Sequence, residues 1–160
     1  MTKVKICGIT NLEDAFVAVE AGADLLGFIF YEPSPRYVQP EVVREIVSGV
    51  RGQGSGTGGQ GSGVGGQVER STFNVQTFNT FVGVFVNSPL DTVAHLLDFC
   101  RLDAAQLHGE ESPEFVRHFQ GRAYKALRPQ SPEEAETLIQ YYHPSTLPPF
   151  HPSTLPPFHP

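Results

Sequence analysis

Short, nearly unbroken apolar runs alternate along the chain with longer stretches in which apolar residues recur at helical spacing. "VKIC" reads as a buried strand, after which Asn11 caps a helix over "NLEDAFVAVEAG" whose Phe16, Val19 and Glu20 are spaced for one buried face and whose Gly22 ends it. "ADLLGFIF" is a second strand-length run, followed by the polar loop "YEPSPRYVQ" and a helix opened at Pro40, "PEVVREIVSGV". The grammar returns in "TFVGVFV", with Ser88 capping and Pro89 opening "PLDTVAHLLDFC". It returns again in "AAQLHG" and "SPEFVRHF", with Ser112 as cap and Pro113 at the first helical position, and in "AYKALRP" and "SPEEAETLIQYY", with Ser131 as cap. In that last helix Glu133 and Glu134 favour the positive end of the dipole. Five strand–helix units of this kind imply a parallel α/β sheet covered by helices, either doubly wound or part of a (β/α)8 TIM barrel.

Two segments break the grammar. "RGQGSGTGGQGSGVGGQ" holds nine of the sixteen glycines, and with the aperiodic "VERSTFNVQTFN" it reads as a flexible insert over residues 51–79 of a domain spanning 1–142. "HPSTLPPF" occurs at 143–150 and again at 151–158, and the tail 143–160 carries seven of the fourteen prolines. Its "LPPF" units suit a polyproline ligand of a WW or SH3 domain, so a non-catalytic interaction protein presenting this tail is the alternative to an enzyme. Gly54, Gly56 and Gly59, and then Gly61, Gly63 and Gly66, match G-x-G-x-x-G, but no strand precedes and no helix follows, so neither match organises a phosphate cradle.

A formal charge of −6 and a pI near 5.4 argue against a nucleic-acid partner. Two cysteines, Cys7 and Cys100, are too few for a disulfide framework. The opening "MTKVKICGITN" lacks the apolar stretch of a signal peptide, and no run reaches the roughly 18 apolar residues of a membrane span, which predicts a cytoplasmic protein without a membrane partner.

In parallel α/β folds, ligand groups gather at the carboxyl ends of the strands. Here those ends bring Cys7, then Ser34, Pro35 and Arg36, then Asn87, then Gln106 and His108, then Arg128. Strand alternation puts Lys3, Lys5 and Cys7 on one face, and a cation one layer below the thiol favours a thiolate able to accept a proton; a small buried hydrophobe is the competing reading. The guanidinium of Arg36, after the stiff "PSP", suits a carboxylate or phosphate, against a solvated loop arginine. His108 is an acid, a ligand or a polar wall. With His95, His118 and Asp103 forming no recognised ligand pattern, a site-lining hydrogen-bonding residue is the ordinary reading.

Taken together, "KICGIT", "GFIFYEPSPRYV", "VGVFVN", "LDAAQLHGEES" and "YKALR" resemble, in order, the motifs of the phosphoribosylanthranilate isomerase family of tryptophan biosynthesis. The resemblance runs from Lys3 to about Tyr142, the Gly-rich insert apart. It implies a (β/α)8 barrel that performs an Amadori rearrangement on a phosphorylated small molecule, N-(5-phosphoribosyl)anthranilate, with no metal or organic cofactor. It also implies Cys7 as general base at ribose C2, Arg36 as the holder of the anthranilate carboxylate, and Gln106 and His108 as substrate-binding residues. The family's general acid is an aspartate ending strand six, and its phosphate sits after strands seven and eight. No match to either is found, since Asp103 is the last aspartate and the fifth unit leads directly into the repeats. The expectation is a barrel truncated after its fifth unit, inactive by itself, with edges at strands one and five open to association.

Overall fold

The computed structural model describes residues 2–53 and 80–143; most of the predicted insert and all but the first residue of the repeat tail lie outside them. The elements run β1 (Lys5–Cys7), α1 (Leu12–Glu20), β2 (Leu25–Ile29), α2 (Pro40–Gln53), β3 (Thr80–Phe85), α3 (Leu90–Phe99), β4 (Ala104–Leu107), α4 (Pro113–His118), β5 (Ala123–Lys125) and α5 (Pro132–Tyr142).

Local chemistry accounts for most helix boundaries. Asn11 accepts from the Asp14 amide at 2.8 Å to open α1, and Gly22, at φ +88°, turns the chain out of it. Ser112 and Ser131 cap α4 and α5 by accepting from the Phe115 and Glu134 amides, with proline in the first turn of each. The cap of α3 differs from expectation. Pro89 itself occupies the N-cap, extended at ψ 148°, and no side chain caps the helix. Two further expectations shift. The buried face of α1 is Ala15, Ala18 and Val19, while Phe16 is half-buried and Glu20 exposed, because the i, i+3, i+4 stripe that meets the core starts at Ala15 and not at Phe16. Helix α2 runs on through Arg51 to Gln53, three residues into the predicted insert, and the Arg51 guanidinium pairs with Asp103 at 2.7 Å and lies 4.9 Å over the Phe81 ring.

The five strands are parallel and ordered 1-2-3-4-5. A doubly wound sheet reverses its strand order at a switch point. This one does not, and right-handed crossovers taken always in one direction put every helix on the same face. The core lies between sheet and helices. Leu26, Phe28, Phe81, Phe85, Ala105 and Leu107 point outward into a layer formed by Ala15 and Ala18 of α1, Val43, Ile46 and Val47 of α2, and Val93 and Leu97 of α3. Phe28 and Phe81 stack at 6.4 Å within it, and truncating either to alanine would cost about 3–5 kcal/mol.

The other face carries Lys5, Cys7, Gly27, Val82, Val84, Gln106 and Tyr124, which alternate with the core residues along each strand. It is concave. In a flat sheet β1 would stand about 14 Å from β4. Instead the Lys5 ammonium hydrogen-bonds the Gln106 side chain on β4 and the Tyr124 hydroxyl on β5, the latter at 3.3 Å. The sheet therefore curls as a barrel wall does.

Candidate active site

Cys7 ends β1 on the concave face and is exposed there. Two glycines make room for what surrounds it. A Cβ at Gly27, its register partner on β2, would lie 2.8 Å from Cys7 Sγ and 2.9 Å from Lys5 Cε, so Gly27 is the floor on which thiol and lysine stem both rest. Gly8, at φ +87°, adopts a backbone conformation open to glycine, and a Cβ there would meet Arg36 Cδ at 2.6 Å. Arg36 thus lies directly across the turn after β1, its Nη1 donating to the Cys7 carbonyl at 3.3 Å. Its backbone is fixed by a tight turn in which Ser34 Oγ accepts from the Arg36 amide and the Ser34 carbonyl accepts from the Tyr37 amide. The predicted base and the predicted anion holder are adjacent.

Gln106 lies across the concavity from them. Its Oε1 accepts from Lys5 Nζ and, at 3.2 Å, from the Tyr124 hydroxyl, so strands one, four and five share one polar network. Burial lowers the Lys5 pKa, opposed by the charge of Cys7. Burial and then the same charge raise that of Tyr124, which keeps the phenol protonated. Cys100 differs in kind from Cys7: buried behind α2, its Sγ donating to the Pro40 carbonyl, it is pushed up to about 11 by burial and by Glu41.

His108 continues β4, its amide donating to the Phe85 carbonyl at 2.8 Å. Arg128 clamps it from the loop after β5, Nε donating to the imidazole Nε2 and Nη2 to the His108 carbonyl, both at 3.0 Å. Burial, then Arg128, then Lys125 lower the imidazole pKa against the opposing pull of Glu111, with Lys5 adding to the depression, which favours the neutral ring. Glu111 is itself buried, accepting from the Asn87 and Gly109 amides at 2.8 and 2.9 Å, and it faces Lys125 Nζ at 3.4 Å. Asn87, held at φ 53°, returns the contact by accepting from the Glu110 amide.

The predicted residues thus fall at one concave face, in two groups linked through Lys5: Cys7 with Arg36, and Gln106 on β4 with His108 just after it. Sequence reasoning missed Tyr124 and the Glu111–Lys125 pair. The signal for the pair was slight, two acids in "HGEES" of which one is buried, with its lysine on the next strand. A surface hollow of about 360 Å³, lined by Glu41, Arg44, Glu45, Ser48 and Phe99, opens on the helix layer and contains none of these residues. No helix among the described residues is long and apolar enough to cross a membrane.

A sequentially wound, curled parallel sheet with polar groups at its strand ends defines an α/β protein of the barrel-wall type. The family model for N-(5'phosphoribosyl)anthranilate (PRA) isomerase matches residues 61–148. The chain is 43% identical over 141 residues to the N-(5'-phosphoribosyl)anthranilate isomerase of Geobacter sp. (strain M21), covering 88% of this chain and 57% of that protein. It is similar in structure to the phosphoribosyl anthranilate isomerase of Thermotoga maritima, with a TM-score of 0.68, 36% identity, and coverage of 88% of this chain and 58% of that one. A phosphoribosyl anthranilate isomerase solved in complex with reduced 1-(o-carboxyphenylamino)-1-deoxyribulose 5-phosphate gives a TM-score of 0.67 at 37% identity, over 88% of this chain and 61% of that one. The chain belongs to the N-(5'-phosphoribosyl)anthranilate isomerase family, and it spans a little over half the length of the relatives it matches.

Proposed function

We propose that this chain forms the first five βα units of a (β/α)8 barrel that isomerises N-(5-phosphoribosyl)anthranilate in the tryptophan pathway. The observation that carries the reading is the contact of Arg36 with the Cys7 carbonyl across Gly8, which sets a carboxylate-binding fork beside an exposed thiol.

The chemistry follows from that adjacency. Protonation of the furanose oxygen breaks its bond to C1 and leaves a C1–nitrogen iminium, which makes the C2 proton acidic. Cys7 takes that proton, giving an enaminol. Return of a proton to C1 and loss of the hydroxyl proton at C2 yield the 1-amino-1-deoxyketose, with atoms balanced and no redox change. Arg36 holds the anthranilate carboxylate so that C2 faces Cys7, and Gln106 and His108 offer hydrogen bonds to the sugar. The acid that opens the ring is not among the described residues.

A chimera tests this reading. Residues 1–142 would replace the matching part of the Geobacter relative. Turnover of phosphoribosylanthranilate that disappears in Cys7→Ala, and whose KM rises at least tenfold in Arg36→Met, supports it. A folded chimera whose turnover survives Cys7→Ala would remove Cys7 as base.

A further inference from the structure

We infer that Arg128 is a positioning residue for His108, which locks the imidazole as its Nδ1–H tautomer and so fixes which ring nitrogen can donate to a ligand in the concavity. The argument is one of donors and acceptors. A guanidinium can only donate. Arg128 Nε does so to His108 Nε2 at 3.0 Å, so that nitrogen must present its lone pair, and the proton of the neutral ring resides on Nδ1. A second bond, from Arg128 Nη2 to the His108 carbonyl at 3.0 Å, fixes the guanidinium to the strand end as well as to the ring, so the imidazole cannot turn about χ2 without breaking the clamp. The cations facing His108 act in the same direction. Arg128 and Lys125 from the β5 side and Lys5 from β1 oppose a second proton, and Glu111 alone favours it. The consequence is an N–H donor of fixed direction, suited to an anionic or carbonyl oxygen of a substrate. That use rests on the isomerase reading, whereas the clamp does not.

The test is nitrogen-15 NMR of the imidazoles in the full chain, with His108→Gln to assign the resonance. The wild-type ring should show Nε2 as the unprotonated nitrogen. Arg128→Met should move the proton toward Nε2 and raise the titration midpoint. Arg128→Lys keeps the charge but loses the fork, so it should hold the midpoint near that of the wild type while still releasing the tautomer. His95 and His118, unchanged across the series, report an intact fold. Unchanged tautomer and midpoint in Arg128→Met would overturn the proposal.

The ligand arm uses reduced 1-(o-carboxyphenylamino)-1-deoxyribulose 5-phosphate. Binding that perturbs His108 Nδ1–H and weakens at least fivefold in Arg128→Met supports the role in recognition. Equal binding by both proteins, or no binding by the wild type, removes that role in this chain; the tautomer result stands by itself, and the isomerase reading stands or falls with the chimera.

Discussion

Glu111 and Lys125 form a buried ion pair, Oε2 to Nζ 3.4 Å, with side chains 2% and 8% exposed, which fastens β5 to the loop after β4. Each charge has further partners. Glu111 accepts from two backbone amides, and Lys125 donates to the carbonyls of Gly109, Leu107 and Ala126 at 2.5, 3.3 and 3.2 Å. Removing one partner strands the other in a dry place. Lys125→Met should therefore lower the unfolding free energy by about 3–5 kcal/mol in urea. The double variant Lys125→Met/Glu111→Gln should recover part of that loss, and losses that simply add would show that the pair is not coupled.

Gly8 and Gly22 offer a controlled comparison, since both hold φ near +90° but only Gly8 has a neighbour where a Cβ would go. Gly22→Ala should cost about 1 kcal/mol of backbone strain. Gly8→Ala carries the same strain plus a collision with Arg36, so it should cost more and also weaken binding of the reduced product analogue. Equal costs with unchanged affinity would mean that Arg36 simply moves aside.

The two thiols should separate cleanly under alkylation. In the native chain iodoacetamide should modify Cys7 alone, because Cys100 is buried with its pKa near 11. Quantifying labelled peptides by mass spectrometry checks this, and urea should bring the count from one to two.

His108 gives the fold a pH dependence whose sign is fixed. Its pKa is lowered from 6.5 in the folded chain, so the unfolded chain binds the proton more readily. The stability associated with the neutral ring is present above about pH 6.5 and is lost as pH falls through the lower folded value. Urea midpoints should decline across that window, and His108→Gln should flatten the decline.

The alternation of strand and helix and the caps at Asn11, Ser112 and Ser131 were legible because each is written within a few residues of chain, whereas the contact of Arg36 with Cys7 joins two strand ends far apart in sequence. Where the reading slipped, a distant residue had intervened. Arg51 stays helical through glycine-rich sequence with Asp103 and Phe81 as its anchors. The chain entering α3 is set by Asn87, whose amide reaches Glu111, and not by a serine cap. Tyr124 was invisible for a related reason: on an edge strand a tyrosine in "AYK" is unremarkable until the curl of the sheet brings it to Lys5.

That curl changes how the concave face should be pictured. Lys5 joins strands four places apart through Tyr124 and three apart through Gln106, much as a bowstring joins the tips of a bow. The chord spans the arc, so three side chains contained within the first 124 residues report whether the wall keeps its curl.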